Sequence, residues 1–205
     1  MRALVCCAWL WILVVLAPGS TANRLITTLS LDTKDGAERI FLHTDFGAIP
    51  IRLLPENAPT VVAAVREMVA RPGSCADCAF YRNEARPKKK EGLGPPYGLL
   101  QGRMDLSKPY PAVEGSLQVK AGHVAMIPGT QEFFIALSDH AEWETSHAVW
   151  GIVEDWFAAD FVASHDYKTY KHPEHGTIMR MLVEEFKFTV SSSEFEAPAT
   201  IEATT

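Results

Sequence analysis

The 205-residue sequence holds only four cysteines, and two of them, Cys6 and Cys7, lie in an N-terminal apolar run. It has no second Cys-x-x-Cys pair, no internal repeat, no Asn-x-Ser/Thr acceptor and no excess of positive charge. The single pair Cys75-Ala-Asp-Cys78 is half of a zinc site at most. The only other paired ligand types, His172-Pro-Glu-His175, read as a polar loop, so no metal and no cofactor is expected. Without repeats, solenoids and propellers are excluded. The formal net charge of −6 gives no electrostatic reason to bind nucleic acid or anionic lipid. The one basic run, Arg86-Pro-Lys-Lys-Lys90, reads as a solvated loop.

What is present is the balance of a globular domain, with 47% hydrophobic and 21% charged residues. The length suits one domain plus end segments, and a domain of ~150 residues buries roughly 68–70% of its unfolded surface. Arg2 precedes the apolar run Ala3–Ala17, which Pro18-Gly19 breaks before the small residues Ser20-Thr21-Ala22. The run falls short of the ~17–25 residues of a spanning helix. Residues 1–22 are therefore expected to be a cleaved signal peptide of a secretory-pathway or secreted protein; the alternative is an uncleaved anchor in an endomembrane such as the Golgi. In that compartment Cys75 and Cys78 have three readings: a redox centre, half a metal site, or a tight disulfide. Arg71-Pro-Gly-Ser precedes the pair and Phe80 follows, as in a loop entering a strand, so a structural disulfide is expected.

Residues 23–37 read as a polar lead-in. Arg39–Thr44 and Ala48–Leu53 flank a turn at Asp45-Phe-Gly47 and predict a hairpin. Val61, Val65, Met68 and Val69 recur at helical spacing within Thr60–Ala70. Residues 83–98 read as a surface loop. Short strands are predicted around 115–126, 133–137 and 148–153, a second amphipathic helix at Trp156–Ala163, and a closing strand at Thr177–Val190. Residues 191–205 are expected to be disordered. Many short strands with two helices predict a mainly β fold, a closed antiparallel barrel capped by two α-helices.

The functional lead is Glu132-Phe-Phe-Ile-Ala-Leu137, followed by Trp143 and by His147-Ala-Val-Trp-Gly151. Aromatics at this density build either core or one wall of an apolar pocket. Upstream stand Phe80-Tyr-Arg82 and Leu99-Leu-Gln-Gly102. Read singly, Met126, Phe133 and Phe134 would be core in any barrel, and Arg82 an edge-strand charge.

In this order the motifs resemble the cyclophilins, the peptidyl-prolyl cis–trans isomerases that bind cyclosporin. Pro55-Glu-Asn-Ala-Pro-Thr-Val-Val62 resembles the family's Pro-x-x-Ala-Pro-x-Thr-Val, and Phe80-Tyr-Arg82 its Phe-His-Arg. Leu99-Leu-Gln-Gly102 is similar to Met-Ile-Gln-Gly, Val124-Ala-Met126 to Leu-Ser-Met, and Glu132-Phe-Phe-Ile135 to Gln-Phe-Phe-Ile. Trp143 and His147–Gly151 are similar to the closing Trp and His-x-Val-Phe-Gly. The resemblance spans residues 38–190 and implies a cyclophilin-like domain there. It implies isomerisation of X–Pro bonds, with Arg82 and Gln101 catalytic and Met126, Glu132, Phe133, Phe134, Trp143 and His147 binding substrate. The implied partners are Pro-containing polypeptide clients, with a cyclosporin-type ligand, and the implied state is a monomer. The chain departs from the family at Glu132, where Gln is usual and where a carboxylate is placed to pair with Arg82. It departs again at Gly98, in place of an aromatic that Tyr97 would have to replace, at Pro128, at Glu144, and in an insertion over 83–96. These departures set a second expectation beside the first: a catalytically weak module that holds Pro-containing segments.

Overall fold

The computed structural model describes residues 36–194 apart from 72, 86–96, 111–112, 175 and 177. The expected signal segment, most of the lead-in, the basic run after Arg86 and the last eleven residues lie outside them. The chain forms β1 (Arg39–Thr44), β2 (Gly47–Leu53), α1 (Pro59–Ala70), β3 (Ala79–Asn83), β4 (Leu99–Arg103), β5 (His123–Met126) and β6 (Glu132–Ala136). A short 3-10 turn at Ala141–Trp143 leads to β7 (Ala148–Val153), α2 (Phe157–Ala163), β8 (Tyr167–Lys171), β9 (Ile178–Lys187) and β10 (Thr189–Ser191).

Local chemistry explains the tight connections. Between β1 and β2 the hydroxyl of Thr44 accepts the Phe46 N–H and donates to the Gly47 carbonyl, pinning a two-residue turn. Between β5 and β6, Ile127-Pro-Gly-Thr130 closes with the Thr130 N–H on the Ile127 carbonyl at 3.2 Å. Gly129 there has φ +79°, as the third residue of a type II turn after proline requires. Helix α1 starts with Pro59 but has no cap of its own, because Ala58 carries no acceptor. Glu114, far along the chain, supplies one: its carboxylate accepts the N–H groups of Thr60 and Val61 at 3.0–3.2 Å.

The strands form one antiparallel sheet in the order β10-β1-β2-β7-β5-β6-β4-β3-β9-β8. The mainly β, antiparallel fold with two helices is as expected; among the described residues hydrogen bonds do not close the sheet into a barrel, and its order ends in β10 on one side and β8 on the other. The chain itself joins the two ends. Phe188 alone separates β9, which pairs with β3, from β10, which pairs with β1. Its N–H reaches the Cys78 carbonyl, and its buried ring packs on Phe80 at 5.0 Å and Phe133 at 6.0 Å. At that residue the strand leaves one neighbour for the other.

The main core collects Ile40, Leu42, Ile51, Val65, Met68, Phe80, Phe133, Ile135 and Trp150. A second, smaller cluster of Leu99, Ala125, Phe134, Ala136 and Val149 lies apart from it. Strand alternation makes this division, since Phe133 and Ile135 go to one side of β6 and Phe134 and Ala136 to the other. Cys75 and Cys78 are joined, with S–S 2.06 Å, and are buried between α1 and β3. The last strand runs to Ser191 and Ser192 is buried, so the folded part reaches past residue 190.

Candidate active site

A cavity of about 370 Å³ opens over the second cluster, lined by residues of β3, β4, β6, β9 and the loops beside them. Arg82 stands at its edge because β3 carries a bulge. Phe80 is opposite Gly102 and Arg82 is opposite Gln101, so Tyr81 is an extra residue between two consecutive positions of β4. A bulge of this kind re-aims side chains, and here both Tyr81 and Arg82 reach Gln101. The Arg82 Nη1 donates to Gln101 Oε1 at 3.0 Å. The Gln101 amide nitrogen donates to Glu132 Oε2 at 2.9 Å and also contacts the Tyr81 hydroxyl. Burial, and then the charge of Glu132, push the Tyr81 pKa upward, so its hydroxyl stays protonated.

Glu132 therefore does not take Arg82 as partner; it takes Gln101. The carboxylate on Arg82 is Glu84, which sequence reading missed. It is 2% exposed and accepts the Arg82 Nε at 3.1 Å. The same oxygen accepts the main-chain N–H of Arg180 on β9 at 3.0 Å. A buried carboxylate needs such partners, since an unpaired charge there is strongly unfavourable. Its signal in the sequence was an acid two residues after Arg82.

The apolar wall starts at Phe134, which is 1% exposed. Trp143 and His147 meet its ring edge-on, with centroids at 5.5 and 5.3 Å. Trp143 is itself held by a parallel stack on His140 at 3.7 Å. Burial lowers the His147 pKa, and the charge of His140 lowers it further, so this wall is neutral near pH 7. Tyr97 completes the wall and lies under the Arg82 guanidinium at 5.4 Å. Gly98 cannot carry an aromatic: a Cβ there would sit 2.1 Å from the Ser138 Oγ, and φ is +57°. Tyr97 takes that place instead.

Six of the eight predicted site residues come together here, with Arg82, Gln101, Phe134, Trp143 and His147 lining the cavity and Glu132 bonded to Gln101. Met126 and Phe133 do not line it. They are paired across β5 and β6 and point into the main core, on the far side from Phe134. Leu99 and Ile127 supply the aliphatic surface in their stead. His172 and Met179 also line the cavity, and they come from the β8–β9 hairpin, where the sequence predicts a polar loop and a closing strand. Alternating Tyr167-Lys-Thr-Tyr-Lys171 before a Pro- and Gly-containing turn was its available signal. Among the described residues no three His, Cys, Asp or Glu side chains cluster as a metal site would require.

No family model and no curated protein matches the sequence. Among solved structures, the chain is similar to a cyclophilin-type peptidyl-prolyl cis–trans isomerase of Cryptosporidium parvum, at 14% identity and TM-score 0.47, covering 74% of this chain and 96% of that one. A structure of that protein in the presence of the dipeptide Ala-Pro gives 14% identity and TM-score 0.48, covering 74% and 99%. A cyclophilin of Hirschia baltica gives 16% and 0.47, covering 78% and 75%. The Mimivirus cyclophilin gives 16% and 0.47, covering 75% and 87%. Likeness of this degree assigns no residue a role, so the roles proposed below follow from the groove itself.

Proposed function

We propose that the chain is a cyclophilin-like peptidyl-prolyl cis–trans isomerase that acts on X–Pro bonds of polypeptides passing through the secretory pathway and assists their folding. The observation that carries this reading is one fixed guanidinium, Arg82, at the edge of an apolar cavity backed by the buried ring of Phe134. An X–Pro bond turns slowly because amide resonance sets a barrier of ~18–20 kcal/mol. A proline ring seated against Phe134, Leu99 and Ile127 presents its nitrogen at the polar edge. As conjugation is lost, that nitrogen gains a lone pair to which an Arg82 N–H donates. Gln101 and Glu84 hold the guanidinium before substrate arrives, so little reorganisation accompanies the step. No proton is transferred and no covalent bond changes partners. The apolar N-terminal run and the joined Cys75 and Cys78 support the compartment.

A second reading has its own observation. Glu84 and Gln101 occupy donors of Arg82, and Glu84 offsets its charge, which suits a module that holds Pro-containing segments with little rate enhancement. Exchange spectroscopy on an Ala-Pro peptide separates the two. Wild type is expected to broaden and then merge the cis and trans signals, and Arg82→Ala to lower the exchange rate about 100-fold. Binding of the peptide with no acceleration by wild type would overturn the isomerase reading and leave the module.

A further inference from the structure

A second cavity, of about 260 Å³, opens on the β8–β9 hairpin beside the groove, lined by Tyr81, Lys168, Tyr170, Met181, Val183 and Glu185, with Leu182. Val183 is 54% exposed and Tyr170 43%, which places both among the large apolar side chains left facing solvent. Single exposed hydrophobics need no explanation, but these two share one concavity.

Register makes this cavity continuous with the groove. Met179, Met181 and Val183 alternate along β9 and so project from one face, and Tyr170 stands opposite Met179. Met179 lines the groove and Met181 the second cavity, about 7 Å further along the strand. Tyr81 links them from β3, since its ring lines the second cavity while its hydroxyl contacts Gln101 in the groove. The charges are unequal. Arg103 engages Glu185 at 2.6 and 3.0 Å, whereas Lys168 has no ion-pair partner among the described residues.

We propose that this cavity is a second subsite for the polypeptide whose X–Pro bond occupies the groove. It takes an apolar or aromatic side chain two to four residues from the proline, with an acidic neighbour against Lys168. An extended chain advances ~3.3 Å per residue, so two steps alongside β9 lead from Met179 in the groove to Met181 and four lead to Val183, both in the second cavity. The inference rests on the groove being a site for Pro-containing peptides.

The test uses three blocked peptides: an Ala-Ala-Pro-Ala core, the same core with Phe-Glu three residues before the proline, and the same core with Glu-Phe three residues after it. Dissociation constants come from amide NMR titrations of wild type and of the Tyr170→Ser/Val183→Ser double variant, whose changes fall at exposed positions and whose folding is checked by melting. One flanked peptide is expected to bind wild type about tenfold tighter than the core, shifting the Met181 and Val183 amides. In the double variant that ratio is expected to fall to about one. Equal constants for all three peptides on wild type would overturn the subsite, as would a ratio the double variant leaves unchanged. The groove reading is judged separately, by the core peptide alone: shifts around Phe134 and His147 keep it even where the flanks add nothing. If the core fails to bind anywhere, the groove reading falls, and the subsite falls with it.

Discussion

Glu144 follows Trp143 with φ +50° and ψ −121°, a backbone region that glycine enters freely and that costs an L side chain about 1–2 kcal/mol. Its side chain is exposed and no hydrogen bond of that carboxylate is among those that hold the turn, whereas its N–H closes the turn on the Ala141 carbonyl at 3.1 Å. The strain is tolerated because Trp143 must be delivered between the His140 ring and the edge of Phe134. Glu144→Gly removes the steric penalty and returns about 0.5–1 kcal/mol through the greater freedom of the unfolded chain. A net gain of about 0.5–1 kcal/mol is expected, seen as a higher urea midpoint with unchanged slope. A lower midpoint would show that the Glu144 side chain contributes more than its exposure suggests.

At the scale of elements, α1 depends on a residue outside itself. Pro59 suits the first helical position, but Ala58 leaves the next N–H groups to a partner from elsewhere, and Glu114 is that partner. Its negative charge at the positive end of the helix adds to the hydrogen bonds. Glu114→Ala is expected to lower stability by about 1 kcal/mol and Glu114→Gln by about half of that, as an acceptor remains without its charge. Denaturation midpoints measure both, and equal losses would exclude the charge term. The helix was legible in the sequence because four apolar residues recur at its period, while its cap was not, because no local pattern ties residue 114 to residue 60. The same division runs through the site. Arg82, Gln101 and Phe134 were legible through the order of short motifs. Phe133 and Met126 were assigned to the groove with them, although strand alternation sends neighbours to opposite faces and only Phe134 stays on the groove side. Glu84, His172 and Met179 escaped because pairing across β3, β4, β9 and β8 brings them in, and such pairing is a property of the assembled sheet.

At the scale of the whole molecule, two half-buried imidazoles, His123 and His147, set how stability responds to mild acid. Burial is the leading cause that lowers the pKa of both His123 and His147 from the ordinary 6.5. Unfolded, each binds its proton near pH 6.5; folded, each binds it only at lower pH. Between those points the unfolded chain carries more protons, so stability rises with pH. The contribution is complete above pH 6.5 and is lost as the pH falls below it. Glu142 and Glu185 act in a lower window. The hydrogen bond from His140 lowers the first and that from Arg103 lowers the second, both from the ordinary 4.5. Their stabilisation is present above pH 4.5 and is lost as the pH falls through the folded values. The two losses have the same sign and arrive in order, so melting temperature is expected to fall in two stages from pH 7.5 to pH 3. Replacing His123 and His147 together by Gln removes the groups that open the first stage. Scanning calorimetry of that variant should show a flat melting temperature from pH 7 to about 5, with the acidic stage intact. A wild-type curve already flat over that interval would mean that neither imidazole is protected from protonation by the fold.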